Sequence, residues 1–160
     1  MMITGIVVAN LADIDFLPGF FVGNPNRFHH GGSHSIAAAV LVGACLAFLP
    51  AFRKLGYGRA FLFFFGLYGS HILLDFFSVD TSPPRGLPIF WPISDQYFIS
   101  GFSIFSDVHK DSNSATFIQS LFVRHNFWTI AREILILAPF TLSWFKLKNL
   151  RGKWQIQKTK

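Results

Sequence analysis

From Ile36 to Phe52 the chain carries no charged side chain, and Ile36–Leu49 has no polar residues recurring at the helical period. A helix on the surface of a soluble protein shows a polar face every 3.6 residues. A stretch without one is buried on all sides, in a protein core or in lipid, and nothing else in the sequence restricts the fold as strongly. Two further apolar runs follow, Ala60–Phe77, rich in aromatics and interrupted by His71 and Asp75, and Ile130–Phe145, with Arg132, Glu133 and Pro139 inside it. Each falls a little short of the ~20 residues that cross a bilayer. Flanking aromatics and snorkelling Lys or Arg make up such a difference.

Composition agrees: 51% of residues are hydrophobic and only 14% charged, against about a quarter charged in soluble domains. The expected fold is therefore all-α, a multipass helical membrane protein with about three to four transmembrane helices, in one domain over residues 1–160. Residues 1–12 are apolar but too short to span, and lack the basic leader of a cleavable signal. They read as the truncated tail of a first helix. Cys45 is the single cysteine, so no internal disulfide forms, and its alanine- and leucine-rich surroundings read as those of a small buried residue.

The formal charge of +6 is unevenly spread. Arg53, Lys54 and Arg59 lie between the first two runs, and Lys146, Lys148, Arg151, Lys153, Lys158 and Lys160 follow the third, with no acid among them. The positive-inside rule puts that loop and the 146–160 tail in the cytoplasm. The excess is a topology signal rather than a nucleic-acid footprint, and no nucleic-acid partner is expected. All six histidines then fall on the non-cytoplasmic side or at the helix ends nearest it, together with Asp13, Asp15, Asp75 and Asp80.

Between Phe28 and Ser35 the sequence reads FHHGGSHS. Imidazole is the commonest protein metal ligand, and glycines let a turn fold tightly enough to converge side chains. His29 and His34, five apart, do not share a helix face but fold inward in such a turn. Ser33 or Ser35 is placed to cap the next helix. Capping explains the serines and glycines but leaves three histidines unexplained. Asp13 and Asp15 stand two apart before Pro18-Gly19, either as a solvated turn or as partners of the histidines. His71 and Asp75 are i, i+4 and share one helix face, in a run where unpaired polar groups are costly. Glu133 either pairs with a neighbouring base or turns inward as a ligand or general base. His109 and His125 read as loop or interfacial histidines.

Ser82-Pro83-Pro84-Arg85-Gly86 reads as a turn, Phe90-Trp91-Pro92 as an aromatic anchor, and Asp111–Ser114 as a loop before a helix starting near Ala115. Mixed imidazole and carboxylate donors suit zinc, manganese or iron, as one ion or two. Such an ion lowers the pKa of bound water and polarises an ester or phosphoryl oxygen.

In this order, Asp13-Ile14-Asp15, His29-His30-Gly31-Gly32-Ser33-His34-Ser35, His71-Ile72-Leu73-Leu74-Asp75 and Gly86…Trp91-Pro92-Ile93-Ser94 resemble the pattern of the LexA-regulated, inner-membrane-associated metal-dependent hydrolases, the YdjM-like family. The family pattern is D-x-D, H-R-G-x-T-H-S, H-x-L-x-D and G…W-P-F-S. His30 stands where arginine is usual, and Ser33 where threonine is. The resemblance implies a divalent-metal site, zinc above all, on Asp13, Asp15, His29, His34, His71 and Asp75, with Glu133 matching a late acidic residue and serving as base. It also implies a location in the bacterial inner membrane, with membrane lipid as a partner, and hydrolysis of an ester or phosphoester, the substrate being a small-molecule or lipid ester. A more distant similarity is to zinc-dependent phospholipases C, which are all-helical with clustered His/Asp ligands.

Three alternatives compete. A non-catalytic protein with a structural metal site, part of an envelope or stress-response complex, shares every feature above except turnover. A metal carrier needs polar residues through the bilayer midplane, and Ile36–Leu49 and Ala60–Tyr68 offer almost none. A nuclease needs a cytoplasm-facing site, against the charge distribution.

Overall fold

The computed structural model describes residues 2–81 and 83–158. The described residues form six α-helices: α1 (Met2–Ala9), α2 (Phe16–Phe21), α3 (Ile36–Ala47), α4 (Tyr57–Phe76), α5 (Phe117–Ser120) and α6 (Arg124–Lys158); short 3-10 turns join the first four, and a long irregular connection over 77–116 leads from α4 to α5. Among the described residues there is no extended strand; Ser78 with Phe105 and Leu87 with Phe98 form isolated bridges only. The all-α expectation holds.

An antiparallel hairpin of α3 and α4 forms the centre, with α1 laid against α4. The order in α3 is one of size rather than polarity. Its buried residues Ala39, Gly43 and Ala47 recur every four positions, one helical turn. This stripe lets α4 come so close that a side chain on Gly43 would meet the Phe65 backbone nitrogen at 3.1 Å. On the α4 side Ala60, Phe64, Tyr68 and Ile72 complete the core. Cys45, expected to be buried, is exposed. It lies two residues from both Gly43 and Ala47 and so faces away from α4.

Helix boundaries follow local chemistry. The Ser35 hydroxyl accepts from the Ala38 N–H at 3.1 Å and donates to the Gly32 carbonyl at 2.7 Å, capping α3. Pro50 follows the end of α3, and Gly56, at φ +75°, opens α4. The helix expected near Ala115 is the single turn α5. The chain leaves helical geometry at Leu121–Val123 and resumes at Arg124. From there α6 is continuous through Pro139 into the basic region, so the third apolar run and the tail are one element. Ser82 of the expected turn and Thr159–Lys160 of the tail lie outside the described residues.

No single described helix is long and apolar enough to cross a membrane; the bent pair Ile3–Ala9 and Leu11–Phe21, meeting at 57°, has the length and composition together. Large apolar side chains are nonetheless exposed throughout, Phe21 at 91% and Ile93 at 94% being the extremes.

Candidate metal centre

Asp13 and Asp15 sit on the 3-10 turn that joins α1 to α2, and His71 and Asp75 on the last two turns of α4. His29, His30 and His34 come from the loop between Pro25 and Ser35. His30 adopts φ +60°, a left-handed conformation uncommon outside glycine. Its ring faces Asp80 at 3.3 Å, whereas the ring of His29 faces Asp15 at 3.1 Å. Gly32 is glycine because a Cβ there would stand 2.9 Å from the Trp91 ring, which covers the turn. The Ile36 N–H donates to the Ile89 carbonyl at 2.9 Å and fastens the two segments together.

Four donor atoms converge. His34 Nε2 lies 3.7 Å from Asp13 Oδ1 and 3.4 Å from Asp75 Oδ2; His71 Nε2 lies 3.4 Å and 3.2 Å from the same two oxygens. Metal–ligand bonds of about 2.0–2.1 Å in a tetrahedron place donors ~3.3–3.4 Å apart. His34 is fully buried, and neither its Nε2 nor Asp75 Oδ2, both shielded from solvent, has a hydrogen-bond partner among the described residues. Buried polar atoms left unpaired are costly. These two atoms face each other at 3.4 Å, and Asp13, His34 and His71 offer donor atoms that all lie within 4.8 Å of one another, a set that fits a divalent cation in type and number. Asp13, Asp15 and His29 form an adjoining trio whose donor atoms also lie within 4.8 Å of one another, and His29, His30 and His34 form another.

The other edge of His34 is held from behind. Its Nδ1 is 3.1 Å from Asp15 Oδ2, and the Ser33 hydroxyl donates to that oxygen at 2.7 Å. A carboxylate behind an imidazole fixes its tautomer and orientation. Ser33, a capping candidate from its position, serves Asp15 instead, and Ser35 alone caps α3. The Tyr68 hydroxyl donates to the Ser33 carbonyl at 2.7 Å, tying the loop to α4. Burial by itself lowers the pKa of His34, but Asp13, Asp15 and Asp75 around it prevail and raise it to about 11. For His29 burial wins despite Asp15, and its pKa falls to about 4.

The cluster opens into a cavity of about 530 Å³, lined by Asp13, His29, His30, His71, Asp75 and Asp80 on one side. Lys110 and Glu133 line it as well. All six residues expected as ligands are thus brought together, and Glu133 joins the cavity wall. Arg132, its neighbour, donates instead to the Ser106 hydroxyl and the Ile104 carbonyl. His109 and His125 face Asp111 and Asp107, each at 3.4 Å, and stand half exposed outside the cluster. Sequence reasoning missed Lys110 altogether and left His30 without a partner. The pairing of His30 with Asp80, which also accepts the Gly86 N–H at 2.8 Å, spans 50 positions and has no local signature.

No curated protein and no solved structure matches the chain. The model of one family, YdjM inner membrane protein, matches residues 1–152. With nearly its whole length covered, the chain belongs to the YdjM inner membrane protein family.

Proposed function

We propose that this protein is a metal-dependent hydrolase of the bacterial inner membrane, cleaving an ester or phosphoester, in particular one linked to lipid. The observation that carries this reading is the convergence of His34 Nε2, His71 Nε2, Asp13 Oδ1 and Asp75 Oδ2, two of them buried without a hydrogen-bond partner. These four residues would hold one divalent ion, zinc first and manganese or iron next, and Asp13, Asp15 and His29 a second. Such an ion supplies Lewis acidity and a water-derived nucleophile near neutral pH.

The chain's own groups do the rest. Asp15 and Ser33 orient His34. Glu133, in the cavity wall, is the base. The water oxygen bonds to the carbonyl carbon or phosphorus as the bond to the leaving oxygen breaks. Glu133 takes the water proton and returns one to the leaving oxygen, so the carboxylate is regenerated.

In this reading α3, α4 and α6 lie in the bilayer, with the cavity facing the periplasm and the C-terminus in the cytoplasm. Exposed Leu41, Leu62, Leu135 and Phe140 on these helices support lipid contact, and the basic 53–59 loop supports the orientation.

The test is elemental analysis of detergent-purified protein, followed by hydrolysis assays on phosphodiester and acyl-ester substrates. At least one tightly held zinc, manganese or iron per chain is expected, lost in His34→Ala and in His71→Ala. Metal content unchanged in both variants would remove the site. Metal held without turnover of any substrate would favour the non-catalytic alternative.

A further inference from the structure

Among the described residues lining the cavity, Lys110 is the one lysine or arginine. Its place is built rather than incidental. Buried Asn126 accepts the His109 N–H at 2.7 Å and donates to the His109 carbonyl at 2.8 Å. The Lys110 carbonyl accepts from Asn26 at 3.2 Å, and the Asp111 N–H donates to the Ser120 hydroxyl at 2.8 Å. Three consecutive residues are therefore splinted, and the side chain between them reaches over the Phe16 ring, its Nζ 5.2 Å from the centroid. Phe16 in turn stacks on His29 at 4.0 Å, which sets the ammonium beside the histidine cluster. Among the described residues no carboxylate comes within ion-pair distance of Lys110. Burial depresses its pKa, and the charges of Asp13, Asp75, Asp80 and Asp15 only partly restore it.

A partly buried ammonium that lines a cavity and has no carboxylate in contact is placed to pair with an anion that enters there. The cavity supplies two other features. Its apolar wall includes Leu74, Val79, Phe105 and Leu121, and at Glu133 and Leu137 it borders a second, more open and mostly apolar groove on α6, lined also by Ile130, Ile134, Ala138 and Thr141. A ligand that satisfies both has an anionic head for Lys110 and an apolar tail for the groove.

We infer that Lys110 is the recognition residue for a phosphoryl group carried on an apolar chain, so that the hydrolase acts on phosphoesters rather than on neutral acyl esters. This rests on the hydrolase reading for the reaction, but the binding itself does not require turnover. One phosphoryl chemistry has two sources, a lipid headgroup and free phosphate, and the groove favours the first.

The experiment is calorimetric titration of full-length protein in neutral detergent with hexyl phosphate and with inorganic phosphate. It is done on zinc-loaded and on chelator-treated samples, with metal content measured in parallel. Lys110→Ala and Lys110→Met are expected to keep the wild-type metal content and to bind hexyl phosphate at least tenfold more weakly; Lys110→Arg is expected to retain most of the affinity. Binding unchanged in both neutral variants overturns the assignment. So does a loss of metal from both, which would make Lys110 a structural cation of the cluster. Inorganic phosphate binding as tightly as hexyl phosphate overturns the lipid-linked source. Zinc absent from wild type sinks the hydrolase reading alone: Lys110-dependent binding of hexyl phosphate to that protein still supports the recognition role, and no binding overturns it.

Discussion

The ring of Trp91 lies where a side chain on Gly32 would be, 2.9 Å from the Cβ that glycine lacks. Two segments 59 positions apart are thereby made to fit, one carrying the histidines and the other closing over them. Gly32→Ala is expected to destabilise the protein by about 1–3 kcal/mol through overpacking and to lower its metal content. Thermal unfolding in a double-mutant cycle checks this: in a Trp91→Ala background the same glycine substitution should cost much less. Equal costs in both backgrounds would separate the two residues.

Asp15 stands behind His34 and beside His29. Asp15→Asn should weaken metal affinity by roughly 10–100-fold, the usual effect of losing an orienting carboxylate. His34→Ala should abolish binding outright. Competition against a chromogenic chelator, read at the ion held by His34 and His71, separates the two; equal losses would show that Asp15 is a direct ligand of that ion as well.

Ion uptake should release protons. His34, raised to about 11 by its three carboxylates, is protonated at neutral pH without an ion, yet it binds a cation only as neutral imidazole. Affinity should therefore fall as pH falls. Calorimetry of zinc binding in two buffers of different ionisation enthalpy should show about one proton or more released per ion. The same raised value stabilises the metal-free protein fully below about pH 6.5, and this contribution is lost as pH rises toward 11.

Charge placement makes a topological prediction. A reporter active only in the periplasm should be silent when fused after Lys160 and active when inserted in the 111–114 loop. The reverse pattern would turn the cavity toward the cytoplasm and revive a nuclease reading.

The six residues expected as ligands were legible because their signals are local. Asp13 with Asp15, and His71 with Asp75, are defined by spacing, and His29 and His34 by a glycine-rich turn. That they meet follows from the α3–α4 hairpin, whose apolar runs are equally plain in the sequence. What escaped depends on contacts between distant segments. Nothing near Lys110 announces a site, because Asn126, Asn26 and Ser120 fix its backbone from three separate elements. Trp91 reads locally as an interfacial aromatic; its contact with Gly32 exists only in three dimensions. The small-residue stripe on α3 was hidden for another reason: alanine and glycine among leucines and valines produce no contrast in polarity. That is also why Cys45 was placed on the wrong side.

Asn126 belongs to the first turn of α6, yet most of its hydrogen bonds go to chain outside that helix, His109 above all. The foot of the longest helix and one rim of the cavity are in effect a single lever. Through that amide, any shift at the foot of α6 would be passed to the segment that places Val108 and Lys110 in the cavity wall.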